Sequence, residues 1–311
     1  MQLVSVVIPA YNSAQYLPDA LRSCLAQTYQ PIEIIVVDDG STDNTRELVQ
    51  DFPGVRYIYH ENRGVAVARN TGLYASGGEY IQFLDADDTL APTKIERCMR
   101  AFAEHPEVGW VYTDYVVFDP DMRAPAARQH PHPSGKMPEG DALWQALVQL
   151  NCFFPPHATL IARHALDAVG GSNEALWRSA DWFMWLRLLA AGYRCYYIDE
   201  PLVQYRRTPN SLSSDILKRS YGNLLAAEAL RDVPEIVARL DVDKLIAVRH
   251  ATLAMKLWQH GNRSEARQHW RMAIQLDTAK RGRRRLFMLW SYFMPAQAVT
   301  AVQSAFHKAR T

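Results

Sequence analysis

Two stretches of this chain end in clustered carboxylates: Ile32-Glu-Ile-Ile-Val-Val-Asp-Asp-Gly40 and Tyr80-Ile-Gln-Phe-Leu-Asp-Ala-Asp-Asp88. Each reads as an apolar strand that stops on acids. An isolated charge is costly to bury, so acids at strand ends should face a cleft, a metal or water. In open α/β sheets, ligands lie beyond the carboxyl ends of the strands. Two acid clusters delivered to one such edge suit a metal-bound, phosphate-bearing ligand.

The elements that must position them alternate in type. Val4–Ile8 is a β-branched strand that Pro9 is expected to end, and Ser13 can cap a helix reaching about Gln27. Ile32–Val37 is apolar apart from Glu33, which suits a parallel strand covered on both faces. Val55–Tyr59 and Tyr80–Leu84 are further strands, with a helix opening at Gly64 between them. The pattern implies an α/β fold with a doubly wound, mostly parallel sheet. A helix at Thr93–Glu104 and a strand at Val108–Val117 follow. Residues 119–141 hold five of the 17 prolines and read as a loop or lid. Helices are expected at Leu143–Leu150 and Asp181–Ala191, and the chain is helical from Asp215. Its hairpin Lys244–His260 and Ser264–Gln275 looks like one tetratricopeptide unit with a seam of Ala254, Leu257, Trp258, Ala266, Trp270 and Ala273. Such repeats need about three copies to stand alone, so a single copy reads as a helical cap.

At 311 residues, with 48% hydrophobic and 22% charged residues, the chain can bury a large core and suggests about two domains. A net charge of +1 excludes a general nucleic-acid binder, which carries a basic excess. Cys24, Cys98, Cys152 and Cys195 match no zinc spacing and read as reduced thiols of a cytoplasmic protein. The N-terminus has no secretory pattern, and no apolar run reaches the ~18 residues a membrane span needs. Lys280-Arg-Gly-Arg-Arg-Arg285 leads into the apolar Leu286–Met294. This tail over 280–294 suits either peripheral contact with an anionic membrane surface or a last helix packed on the domain.

Ser5-Val-Val-Ile-Pro-Ala-Tyr-Asn12, Val36-Val-Asp-Asp-Gly-Ser-Thr-Asp43, Asn62-Arg-Gly64, Ala68-Arg-Asn-Thr-Gly72 and Phe83-Leu-Asp-Ala-Asp-Asp88 resemble, in order and spacing, the motifs of family-2 glycosyltransferases. The resemblance continues through Val169-Gly-Gly-Ser-Asn-Glu174, Asp181-Trp182 and Glu200-Pro-Leu-Val-Gln-Tyr-Arg206, covering roughly residues 1–215. It implies the GT-A fold and an inverting transferase using a nucleotide-diphosphate sugar, with UDP the expected carrier. Metal ligation would fall to Asp87, with Asp85 of the same Asp85-Ala86-Asp87 motif bonded to the ribose or the sugar. Hard oxygen donors select Mn2+ or Mg2+, and a cation neutralises the leaving diphosphate as a Lewis acid.

Asp39 would meet the base, in a pocket that Pro9 and Tyr11 line, and a tyrosine ring can stack on any base. Asp38 and Asp39 could equally cap the next helix. Arg69 is a candidate for the donor site or a plain helical arginine. Asp181 would be the general base toward an acceptor hydroxyl, although the helix dipole favours an acid there and would lower its pKa. Trp182 beside it is the candidate acceptor-stacking ring, Trp185 is expected in the core, and His157 shows no partner at ligand spacing and reads as structural.

Two departures stand out: Ala180 replaces the glutamate that usually precedes the base, and Thr208 stands where many relatives carry a histidine. They motivate the alternative of a non-catalytic sugar-nucleotide-binding scaffold. The expected division is a nucleotide-sugar-binding half over 1–105, an acceptor-binding half over 106–215 and a helical extension over 216–311. The implied acceptor is a saccharide or a lipid-linked saccharide, in cell-surface polysaccharide or lipopolysaccharide synthesis.

Overall fold

Strand β1 (Val4–Ala10) is buried along its whole length, as a strand covered on both faces must be. It opens the alternation α1 (Leu17–Leu25), β2 (Ile32–Asp39), α2 (Thr45–Gln50), β3 (Val55–His60), α3 (Val65–Ala75) and β4 (Tyr80–Phe83). Next come β5 (Thr89–Leu90), α4 (Lys94–Glu104), β6 (Val108–Phe118), β7 (Pro125–Gln129), α5 (Gly140–Val148), β8 (Thr159–Ala162), α6 (Arg163–Val169), α7 (Ala180–Ala190) and β9 (Arg194–Arg206). The helices α8 (Ile216–Ala229), α9 (Pro234–Val237), α10 (Val242–Gln259) and α11 (Arg263–Leu276) complete the order. This computed structural model describes residues 1–121, 125–132, 135–150, 154–208 and 215–277. The basic-apolar tail over 280–294 lies outside the described residues.

Eight strands follow one another across a single sheet in the order β3-β2-β1-β4-β8-β6-β9-β5, and β7 pairs with β6. β1 runs parallel to β2 and to β4, and β2 parallel to β3. The long ladder between β6 and β9 is also parallel, while β8 bridges β4 and β6 antiparallel to both. This is the expected mostly parallel α/β sheet. The chain divides into two compact units, Met1–Ser211 and Leu212–Thr311.

Pro9 does not end β1; it lies inside it, in register with Val37. β4 pairs with β1 only over Val4–Val7, so at Pro9 the strand has no neighbour on that side and its missing N–H breaks no ladder. The early end of β4 is also what opens the sheet beside the acids. α1 starts at Leu17 rather than near Ser13, with Pro18 in its first turn where an orphan N–H is not needed. β7 falls within the expected loop of 119–141, because its strand character comes from pairing with the end of β6 rather than from its own composition.

The charge inside β2 is satisfied locally. Glu33 Oε1 accepts from the Ser5 hydroxyl at 2.5 Å and from the amides of Gly77 and Gly78 at 2.6 and 3.1 Å. α3 packs directly on β1 at Gly72, where a Cβ would lie 2.2 Å from a Val7 methyl carbon. That close approach brings Arg69 and Asn70 to the sheet edge.

In the second unit, Asp215 and Asp241 cap α8 and α10 by accepting from the amides of Lys218 and Lys244 at 3.0 Å. The expected seam of α10 and α11 is buried at all six positions. Among the described residues no helix is long and apolar enough to cross a membrane.

Candidate active site

The parallel register decides where the two acid clusters go. Ala10 at the end of β1 is paired with Asp38, and on the other side Leu84 donates its amide to the Val7 carbonyl at 3.0 Å. Asp38–Asp39 and Asp85–Asp88 therefore leave the sheet at the same edge, on either side of β1. The two Asp38 oxygens accept from the Ser41 amide at 2.8 Å and the Tyr57 hydroxyl at 2.5 Å, so this residue builds the turn. Asp39 accepts from the amides of Arg63 and Gly64 at 2.7 and 2.9 Å, and the His60 ring stands 3.3 Å away. It thus organises the entry into α3 while lying at the mouth of the same edge. Pro9 is buried beneath, and Tyr11 is 52% exposed, leaving its ring open to a planar ligand.

Beyond β4 the chain closes a tight turn in which the Asp88 amide donates to the Asp85 carbonyl at 3.0 Å. Ala86 is buried inside it. Arg69 Nη2 donates to Asp85 Oδ1 at 2.6 Å. Burial pushes Asp85 up, but the charges of Arg69 and His157 outweigh it and hold the carboxyl below its ordinary value. Asp87 has no such support: burial, then the charges of Asp88 and Asp85, push it up to about 7. Among the described residues no arginine or lysine pairs with it.

Asp181, in the first turn of α7, joins this group from the far half of the sheet. Burial raises its pKa, with Arg69 pulling it down and Asp85 pushing it up, so the three groups share one electrostatic neighbourhood. Its Oδ1 also accepts from the Trp182 amide at 2.8 Å. The lowering expected from the helix dipole is outweighed by burial, which makes the carboxylate a stronger base.

Three residues, His157, Asp88 and Arg206, hold the turn in place. His157 is 1% exposed, with Nδ1 2.8 Å from Asp88 Oδ2 and 3.6 Å from Asp85 Oδ2. Burial lowers its pKa, but the two carboxylates win and raise it to about 9, so the ring is a cation at neutral pH. It has partners after all. Asp88 accepts the Arg206 amide at 2.8 Å. The Arg206 guanidinium donates to the carbonyls of Asp87 at 2.9 Å and Pro120 at 2.5 Å and pairs with Asp19 at 2.9 Å. Arg206 is therefore committed to supporting the turn rather than free for a phosphate. Arg207 is exposed.

Trp182 does not fit its expected role as an acceptor platform. It is 4% exposed, and its indole N–H donates to the Leu147 carbonyl at 2.7 Å, so it belongs to the packing of α7 on α5. Trp185 is core as expected, stacked on Trp110 with its N–H bound to the Phe154 carbonyl. Trp177, which precedes α7 in the chain, carries an indole that is 47% exposed.

The donor set fits a hard divalent cation. Asp85 and Asp88 offer carboxylate oxygens within 4.8 Å of each other, with the unneutralised Asp87 carboxylate in the same turn; His157, the third member of that cluster, is their counter-charge and would ligate only after losing its proton. Two cations, Arg69 and His157, face three carboxylates there, which leaves negative charge for a metal to balance.

Comparison with known proteins agrees with this geometry. Residues 5–170 match the model described as glycosyl transferase family 2. A Bacillus subtilis protein named as a teichuronic acid biosynthesis glycosyltransferase (TuaG) is 32% identical over 218 residues, which span 68% of this chain and 82% of that protein. The chondroitin synthase of Escherichia coli is 30% identical over 197 residues, which span 61% of this chain but 27% of that protein. Among solved structures, S. aureus TarS in complex with UDP-GlcNAc superposes with a TM-score of 0.67 at 18% identity, covering 94% of this chain and 89% of that one. The mannosyltransferase PcManGT from Pyrobaculum calidifontis, in complex with GDP-Man and Mn2+, gives 0.56 at 20% identity, covering 97% and 79%. These structural likenesses establish the GT-A type α/β fold.

Proposed function

The chain belongs to glycosyl transferase family 2, and from that premise we propose that it moves a sugar, with inversion, from a UDP-sugar to a hydroxyl of a saccharide or lipid-linked saccharide in cell-surface polysaccharide synthesis. The observation that carries this reading is the delivery of Asp38–Asp39 and Asp85–Asp88 to one edge of the sheet, with Arg69 on Asp85, as a site for an anionic donor; Asp181 lies within electrostatic reach of Arg69 and Asp85. UDP as the carrier is supported by TarS, whose complex holds UDP-GlcNAc, and the GDP-Man complex of PcManGT names the competing base.

In this reading Tyr11 and Asp39 receive the base, Pro9 lines the pocket and Arg69 holds Asp85 toward the ribose or sugar. Asp87 would hold Mn2+ or Mg2+, with the Asp85 and Asp88 carboxylates as further oxygen donors in reach and the charged His157 ring holding Asp88 in place. When bound, the cation neutralises the charge that gathers on the departing diphosphate. The acceptor hydroxyl gives its proton to an Asp181 oxygen as its own oxygen bonds to the anomeric carbon. The bond from that carbon to the diphosphate oxygen breaks on the opposite side, so the configuration inverts. Raised by burial, Asp181 is a better proton acceptor than an exposed aspartate.

Asp181→Asn tests this directly. We expect UDP-sugar binding in Mn2+ to be kept and transfer to fall by roughly 10²–10⁴-fold. Normal turnover removes Asp181 from its role. Binding without turnover in the wild-type chain, for every donor and acceptor, would favour the non-catalytic scaffold instead.

A further inference from the structure

Two consecutive residues of α3 leave the helix in different directions and reach different halves of the site. Arg69 goes to Asp85. Asn70, 3% exposed, turns to the backbone between α6 and α7. Its Nδ2 donates to the Ser172 carbonyl and to Glu174 Oε1, both at 2.9 Å, and its Oδ1 accepts from the Ser172 amide at 2.9 Å. A side-chain amide has two N–H donors and one carbonyl acceptor, and all three are used. The reciprocal pair with Ser172 imitates a backbone ladder rung between elements 102 residues apart. The fit is close: a Cβ on Gly171, whose φ is +66°, would lie 2.7 Å from Asn70 Oδ1.

From this anchor the chain passes through Leu176, 1% exposed, to Ser179 in the left-handed region at φ 58° and into α7, whose first turn carries Asp181. The path between anchor and base is thus held at Ser172, at the buried Leu176 and at the turn on Ser179. We propose that Asn70 is a positioning residue that pins segment 171–181 to α3 and so fixes the distance between Arg69 on the donor side and Asp181 on the acceptor side. This rests on the reading of Asp181 as the base. Its consequence for the reaction follows from geometry, since misplacing a reacting group by about 1 Å costs on the order of 100-fold in rate.

The test is peptide-resolved hydrogen exchange on the full chain, with UDP titrated in Mn2+ and turnover of UDP-GlcNAc followed as UDP release. Asn70→Asp removes both donated bonds and sets a carboxylate against Glu174, while keeping an acceptor for the Ser172 amide. Exchange across 172–182 should quicken by about tenfold or more, as loss of buried hydrogen bonds implies. Peptides of β1 and β2 should keep their protection and UDP affinity should hold, with kcat falling and the donor KM kept. The double variant Asn70→Asp/Glu174→Gln reverses donor and acceptor in the bond to residue 174 at unchanged net charge but leaves the Ser172 carbonyl without its donor, and should recover part of the protection and rate.

Unchanged exchange across 172–182 in Asn70→Asp would overturn the proposal. So would an equal rise in β1, which marks general loosening, or no recovery in the double variant. Normal turnover in Asp181→Asn overturns the base and with it the purpose given to the anchor. Unmoved exchange, with transfer lost in Asp181→Asn, overturns the anchor alone.

Discussion

Replacing Arg69 with methionine keeps most of the side chain's length and apolar stem and deletes its charge. Arg69 Nη2 and Asp85 Oδ1 are 2.6 Å apart, with side chains 11% and 31% exposed. Breaking a fully buried pair costs about 3–5 kcal/mol and an exposed one under about 1 kcal/mol, so a pair that solvent partly reaches should lose ~2 kcal/mol. For a unit the size of Met1–Ser211, that lowers the melting midpoint by roughly 4–8 °C.

The sign of the pH dependence follows from Asp85. Its folded-state pKa lies below the ordinary aspartate value because the charges of Arg69 and His157 outweigh burial. A depressed carboxyl contributes stability that is present above its unfolded pKa and lost as pH falls through the folded one. The variant lacks Arg69's share of that contribution. Wild type and variant should therefore differ fully at about pH 7, and the gap should close only well below about pH 4, as pH falls through the depressed folded pKa of Asp85. Urea unfolding followed by tryptophan fluorescence measures both gaps. An equal gap at both pH values would refute the electrostatic origin, and no gap near neutrality would refute the pair itself. Arg69 also holds Asp181 down, so the acid limb of the transfer profile should move to higher pH in the same variant.

Arg206→Leu should destabilise the first unit by ~3 kcal/mol, because Asp19 and the carbonyls of Asp87 and Pro120 lose a buried donor. It should also weaken metal-dependent UDP binding in calorimetry. Arg206→Lys should recover little, since an ammonium cannot make the fork of contacts. In the second unit, His250 Nδ1 lies 2.8 Å from His269 Nδ1, and Glu228 Oε1 lies 3.9 Å from His250 Nε2. Burial, then the neighbouring His269 and Arg231, lower the His250 pKa from 6.5 to about 4. The unfolded chain takes the proton first, so stability should hold above about pH 6.5 and fall by ~3 kcal/mol toward pH 4. Thermal melts followed by circular dichroism check this, and a His250→Gln variant with the same acid sensitivity would contradict it.

The first four strands were legible because each is a short, mostly apolar run bounded by turn residues, and the acids that end β2 and follow β4 need only parallel register to share an edge. β7 was not legible, because it becomes a strand by pairing with β6 rather than by its own propensity. Trp182 misled for a geometric reason. Adjacent helical residues point about 100° apart, so a ring next to Asp181 in sequence could not share its direction, and its partner Leu147 lies on another helix. Asp88 could have been found, as the last acid of an already suspect turn. His157 could not: its carboxylate partners are about 70 residues away and come into reach only when β8 pairs with β4 and β6. Asn70 is hidden in the same way, since its hydrogen bonds cross 102 residues.

In the proposed reaction, carboxylates from separate strand ends grip one nucleotide diphosphate through a shared cation. Calorimetric titration of UDP into the wild-type chain and into Asp87→Ala, each with and without Mn2+, tests this most directly. It should show binding that needs the metal in the wild type and is lost in the variant, where the raised Asp87 carboxylate is gone. Equal UDP affinity in all four titrations would contradict it.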